Sequence, residues 1–293
     1  MKQQNANFKK MALKVRIRRI IFTIMLIMLF TPILMAVGYK VTQSMSAKQS
    51  NKLFQEMTII NEVSSPNIEV SDQFIDHSDF MGGEVVSHRY KDIEGQRIPW
   101  SPLQGNYSWN QSEFNFSTFS SIDSEGAATY DRITQRKIPQ FYSLDSHNLP
   151  EDATKLAKLK GAVSEVGVTF TSSMSYRKIK KIMPKGVHVK WYWLGSDKSK
   201  TEIDVEAMQL GFSEAGNGES ASGNFAEYRH GIKELSASNE RMKRYSKVSS
   251  DLNKVKIKGV IVTGDSQMMG KLVNKSWILA TSAGVTLSKN GLN

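Results

Sequence analysis

The chain has no cysteine. That excludes disulfides, thiolate metal sites and a cysteine nucleophile together. Histidine is sparse: His77, His88, His147, His188 and His230 are scattered, with no spacing that would gather a metal. The chain holds no HExxH, no GxSxG elbow and no GxxxxGK phosphate loop, so three common catalytic frameworks are missing. Acidic residues are missing from residues 1–19, and charge of either sign from Ile20–Val37.

Two weaker catalytic patterns remain. Ser175-Tyr176-Arg177-Lys178 matches S-x-x-K, but no S-D-N or K-T-G accompanies it. Ser175 stands where a helix N-cap is expected. Glu227 and His230 form an i, i+3 carboxylate–imidazole pair of the kind found on solvated helix faces. No catalytic constellation results. The chain reads as a non-enzyme without cofactor or metal.

What is present begins with the charge-free run. Ile20–Val37 holds eleven Ile, Leu, Phe or Val residues. As a helix it spans roughly 27 Å, close to the ~30 Å hydrocarbon core of a bilayer. Thr23, Thr31 and Pro32 oppose insertion only modestly. A buried core helix would show polar positions on one face. A cleaved signal peptide shares the layout, with Ala36 and Gly38 as small residues, but its apolar region usually runs only ~7–15 residues. The reading is a single-pass anchor in the cell membrane, with Tyr39 and Lys40 at the interface.

Orientation follows from the tail. Lys2, Lys9, Lys10, Lys14, Arg16, Arg18 and Arg19 precede the span. The positive-inside bias keeps this end cytoplasmic, against anionic lipid headgroups, and places the C-terminal part outside. The net charge of +11 resembles that of a nucleic-acid binder. Setting the tail aside leaves 32 basic residues against 28 acidic ones, so the excess belongs to topology and no nucleic acid is expected.

The chain divides into a basic tail (1–19), the span (20–37), a helical stalk (38–65), a β-rich region (66–150) and a C-terminal domain (151–293). In the stalk, Met45, Leu53, Met57 and Ile60 form a loose stripe ended by Ser64, Ser65 and Pro66. Within 66–150, residues 84–90 and 106–115 read as strands, and the many aromatic residues as core. Residues 151–160 read as a short helix.

In the C-terminal domain, 163–171 is a strand with Val166, Val168 and Phe170 on one face, and 174–183 is a helix. Residues 187–194 form a strand with Val187, Val189, Trp191 and Trp193 on one face. Residues 197–223 read as a mobile loop, followed by a helix marked by Phe225, Tyr228, Ile232 and Leu235. A central strand (255–264), a short helix and a closing strand (277–287) complete the chain. Two strand–helix–strand units of one pattern emerge. They predict parallel strands joined by right-handed crossovers, in an α+β sandwich with helices on one face of a four-stranded sheet.

The stretch Ile182-Met183-Pro184-Lys185-Gly186-Val187-His188-Val189-Lys190-Trp191-Tyr192-Trp193 carries further information. With Gly259–Gly264 (GVIVTG) and Ile278–Val285 (ILATSAGV), it resembles the C-terminal domain of the sigma factor regulator family. Ser65-Pro66-Asn67, Phe80-Met81-Gly82-Gly83 and Tyr90 through Ile98-Pro99-Trp100 are similar to that family's N-terminal region, which follows a single span.

The resemblance implies a membrane-anchored anti-sigma factor of Gram-positive type. Its exported part would sense the envelope, and its cytoplasmic part would hold an extracytoplasmic-function sigma factor. The residues for that contact would be Lys9, Lys10, Lys14, Arg16, Arg18 and Arg19. The motif positions Pro99, Trp100, Pro184, Gly186, Trp191, Trp193, Gly259, Gly264, Ser282 and Gly284 are expected to be structural. Family clamps usually take several tens of residues, and nineteen precede this span. The expected partner is therefore a sigma factor directly, or a second membrane regulator that relays to one. The alternative is an envelope binding or structural module that touches no sigma factor.

Overall fold

The computed structural model describes residues 2–79, 81–115, 121–122, 129–146, 149–196, 208–216, 219–238 and 242–289. Tail, span and stalk are one uninterrupted helix, α1 (Lys2–Val63), about 93 Å long at 1.5 Å per residue. Residues 20–37 have no protein neighbour to cover them, and their large apolar side chains are exposed. Among the described residues, α1 is the one helix long and apolar enough to cross a membrane.

The β-rich region follows. Strands β1 (Glu69–Ser78), β2 (Gly82–Ile93), β3 (Gln96–Ser108) and β4 (Ser112–Asn115) pair in sequence order as an antiparallel meander. The stretch read as one strand at 106–115 is two, because Trp109-Asn110-Gln111 turn the chain and Ser108 N bonds Gln111 O at 2.7 Å. The expectation that the aromatic residues are core holds for Trp100 and Tyr107 and fails for Trp109, which is exposed on that turn. Phe80, Phe116 and Phe119 lie outside the described residues. A small sheet of β5 (Ser121–Ile122), β6 (Thr129–Tyr130) and β7 (Lys137–Ile138) leads to α2 (Asp152–Leu156), shorter than the 151–160 helix expected.

The second sheet is built from β8 (Ala162–Met174), β9 (Val187–Ser196), β10 (Gln209–Ser213), β13 (Ile257–Asp265) and β14 (Ile278–Ser288). Between β10 and β13 come the two-residue ladder β11 (Ala215–Gly216) with β12 (Glu219–Ser220), then α4 (Ala221–Ser238) and α5 (Lys243–Ser246). The order is β10-β9-β13-β8-β14, and every pairing in it is antiparallel.

The strands of each unit are parallel, as expected, but they are not neighbours in the sheet. Both strand–helix–strand units exist, through α3 (Tyr176–Ile182) and a 3-10 helix at Ser266–Leu272. Each pair does run in one direction, but a strand of the other unit lies between its members. The four strands read fourth-first-third-second across the sheet, the split arrangement of ferredoxin-like folds. A fifth strand, β10, comes from the stretch read as loop. Residues 197–207 and 217–218 of that stretch lie outside the described residues.

The face of β9 is a second correction. A bulge at Lys190, left unpaired between the Trp191–Ile261 and Val189–Val262 pairs, breaks the period-2 alternation of β9. Val187 and Val189 therefore share the helix-side core with Tyr192 and Leu194, while Trp191 and Trp193 join Phe141 and Ile261 on the opposite face. The helix-side core also takes Val166, Val168 and Phe170 of β8, together with Phe225, Tyr228 and Ile232 of α4. β13 is central, and Val260, Ile261 and Val262 are buried on both faces as its apolar run implied.

Candidate functional site

With no group of metal-binding side chains among the described residues, the site of interest is the joint where α1 enters the body. Its last turns bury Ser46, Ser50, Leu53, Met57, Ile60 and Val63. That alternating 4, 3, 4, 3, 3 spacing makes one narrow stripe. Leu53, Met57 and Ile60 pack on Val85, Leu103 and Tyr107 of the first sheet, whereas Val63 belongs to the core of the second. One helix end therefore touches both cores. Gly231 of α4 allows the approach: a Cβ there would lie 2.8 Å from Val63 Cγ1.

Immediately past the helix the chain turns at Asn67, with φ 53°. Its Nδ2 donates to Glu165 Oε1 at 2.7 Å. Glu165 on β8 is 0% exposed and Lys91 on β2 is 1% exposed. The Lys91 ammonium donates to both carboxylate oxygens at 2.9 Å and lies 4.2 Å from the Trp100 ring centre. Val285 N adds a long bond of 3.4 Å. A fully buried ion pair thus joins the helix-end turn, the first sheet and the second. Such a pair adds little net stability against an apolar replacement, but stripping one partner leaves an uncompensated charge.

The end of the β2–β3 hairpin makes a second line of contact. His188 Nδ1 is 3.0 Å from both Glu94 oxygens, Thr263 Oγ1 donates to Glu94 at 2.6 Å, and Lys190 reaches Asp92 at 3.5 Å.

The motif positions fall around this joint and the face beside it. Segment 139–141 crosses the second sheet as a strap. Gly284, Gly167 and Gly259, on the neighbouring strands β14, β8 and β13, leave room for it. A Cβ at these positions would meet Pro139 at 2.8 Å, Gln140 O at 3.0 Å and the Phe141 ring at 3.0 Å respectively. Phe141 stacks on Trp193 at 4.5 Å, and Trp191 is close by. Ser282 Oγ accepts from Gln140 N at 3.1 Å, and Thr169 Oγ1 from Tyr142 N at 3.1 Å.

Gly186 turns the chain after α3 with φ 87°, and Val187 N bonds back to Pro184 O. A Cβ on Gly264 would lie 2.6 Å from Gly186 O. Pro99 is exposed on a part of β3 with β2 as its ladder neighbour, and β4 pairs only further along, from Gln104. Edge positions of this kind tolerate proline. The tail positions Lys10, Lys14, Arg16, Arg18 and Arg19 are exposed on α1, and the Lys9 side chain lies outside the described residues.

Ser175 caps α3, accepting from Lys178 N at 3.4 Å. Ser175→Ala is therefore expected to lower stability by about 0.5–2 kcal/mol, measured by urea unfolding, and to leave any regulatory output unchanged. His230 pairs with Glu234 at 3.4 Å on an exposed face.

A cleft of ≈ 280 Å³ opens beside the joint, lined in part by Phe54, Glu62, Ile68, Gln73 and Glu227. Burial raises the Glu62 pKa above its usual value, and Glu227 adds to the rise. The folded state then holds the proton at a pH where the unfolded chain has released it. Stability falls as pH rises from the ordinary carboxylate pKa to the raised one. Glu62→Gln is expected to raise the melting temperature at pH 7 and to leave it unchanged near pH 3, below the ordinary carboxylate pKa, where both states are protonated.

Lys91 and Glu165 were missed in the sequence. The available signal was Glu165 itself, an acid inside Val163–Phe170, where its neighbours are small or apolar.

A long apolar helix gripped by two sheets defines the class: an α+β protein with one N-terminal helix that fits a single-pass membrane anchor, its body fastened to the end of that helix. Two family models match it. The sigma factor regulator N-terminal model covers residues 6–98, and the sigma factor regulator C-terminal model covers residues 156–285. The chain belongs to the sigma factor regulator family, a regulatory and non-enzymatic one. No curated protein matches it significantly. No solved structure does either.

Proposed function

We propose that this chain is an anti-sigma-factor-like regulator whose body reads a condition of the cell envelope and passes it through α1 to the basic tail. The body lies outside the cell and residues 1–19 inside. The tail, through Lys9, Lys10, Lys14, Arg16, Arg18 and Arg19, contacts an extracytoplasmic-function sigma factor or a membrane protein that relays to one.

The observation that carries this reading is the continuity of α1 from Lys2 to Val63, with its last turns held by both cores. A helix is stiff along its axis, so a shift or rotation at the joint reaches the other end. The stimulus must bind two states of the body unequally, since equal affinity moves no population. Pro32 lies mid-span and removes one helix hydrogen bond without ending the helix.

The test is affinity capture from detergent-solubilised membranes, comparing the full chain with one lacking residues 2–14. A sigma factor or membrane regulator should be recovered with the full chain and lost with the shortened one. Recovery of the same envelope proteins by both, with no sigma factor or relay partner, would contradict the proposal.

A further inference from the structure

The first sheet lies alongside α1 in a definite direction. Leu53 meets Gly105, and Asn61 bonds Ser87 at 3.1 Å. Ser46, closer to the span, donates to Met81 O at 3.0 Å. Gly82 pairs with Ser108, so the β1–β2 and β3–β4 turns lie at the same end of the sheet, the end nearer the apolar run. Two large apolar side chains are exposed there: Met81 at 46% and Trp109 at 40%. Ser108, Asn110 and Gln111 around Trp109 carry no charge. Of the exposed acids near this end, Asp79 is paired with His77 at 3.1 Å, and Glu113 lies two residues further into the sheet than Gln111.

The helix itself extends the apolar surface toward these turns. Ile33, Val37, Val41 and Met45 recur at i+4 spacing, and Lys40, Ser44 and Lys48 line the same shallow groove. The stripe ends one residue before Ser46. If the hydrocarbon edge falls between Val37 and Met45, the Ser46–Met81 contact sits about 2–13 Å beyond it. The polar layer of a bilayer is about 5–7 Å thick on each side, which falls inside that range. A tilt of about 20° lowers one flank of the body further.

We propose that Met81 and Trp109 rest in the headgroup layer of the bilayer that α1 crosses, with Lys40 and Lys48 on its phosphates. The body then has two membrane contacts, its helix and this sheet end, and its angle to the membrane is set. Tryptophan suits that layer because its ring is apolar and its N–H polar. The proposal rests on α1 spanning the membrane, and the experiment separates the two.

The chain has no cysteine, so each introduced thiol is unique. Trp109→Cys, Met81→Cys, Ile133→Cys and Leu29→Cys carry an environment-sensitive NBD label in the full chain. Each is reconstituted in vesicles of phosphatidylcholine and phosphatidylglycerol containing nitroxide lipids. Ile133 is the distant control: Asp131 beside it bonds Ser101, seven residues up β3 from Ser108 and about 23 Å away.

Headgroup nitroxide should quench the labels at 109 and 81 about twofold more than at 133, as expected of an interfacial residue. Acyl-chain nitroxide should quench the label at 29. Equal quenching at 109, 81 and 133, with 29 still quenched, overturns the docking and leaves the span standing. A blue-shifted label at 109 that nitroxide lipids do not quench means a protein neighbour and overturns it as well. An unquenched label at 29 brings down the span and the docking together.

Discussion

Lys91→Met should destabilise the full-length protein by about 3–5 kcal/mol, read as the shift in urea unfolding of the protein in detergent micelles. The substitution leaves Glu165 fully buried with Asn67 Nδ2 and one long backbone bond as its donors. The Trp100 ring also loses the ammonium it faces. The double variant Lys91→Met with Glu165→Met removes both charges, and most of the loss should be recovered. A buried pair is worth little against apolar groups of similar volume, even though breaking it is costly. If the double variant were as unstable as the single one, the damage would come from packing around the pair and not from the stranded carboxylate.

Leu53→Ala is the second large effect. Leu53 is fully buried, and its Cδ1 would lie 2.8 Å from a Cβ on Gly105. Truncating a buried leucine costs about 2–5 kcal/mol through lost transfer free energy and the cavity left behind. Here the cavity opens between α1 and β3, so the loss should concentrate at the joint. Hydrogen exchange should speed up along residues 50–63 and the facing part of β3, and stay slow in β8 and β13. In cells, a sigma-dependent reporter should lose its response to envelope stress while the protein stays in the membrane. Uniformly faster exchange across both sheets would show that the joint is not a separate unit.

Some of this architecture was legible because one strong pattern carried it. Ile20–Val37 could be read by length and charge alone, since few other structures tolerate such a run. The central strand Val260–Val262 was legible because apolar residues on both faces require cover on both faces. The tertiary pairing was not legible. Both strand–helix–strand units could be seen, but adjacent parallel strands and interleaved antiparallel ones leave the same local pattern. Only the whole sheet shows that β13 separates β8 from β9.

The single-residue bulge at Lys190 was invisible for a related reason. Alternation assumes an unbroken ladder, and one extra residue exchanges the faces of everything beyond it. Both units carry a Gly-Val pair in their first strand, Gly167-Val168 and Gly259-Val260, and the structure gives it a meaning. Val168 and Val260 enter the core, and Gly167 and Gly259 leave room for the strap. The sequence contained the repeat, but the segment that needs the space lies some thirty to one hundred and twenty residues upstream.

The account turns on α1 crossing the bilayer once, with tail and body on opposite sides. Single cysteines at Lys10 and Ile133 test it, because no native thiol competes. In intact cells a membrane-impermeant maleimide should label the Ile133→Cys variant, and should reach Lys10→Cys only after permeabilisation. Labelling of both in intact cells, or of Ile133→Cys only after permeabilisation, would contradict it.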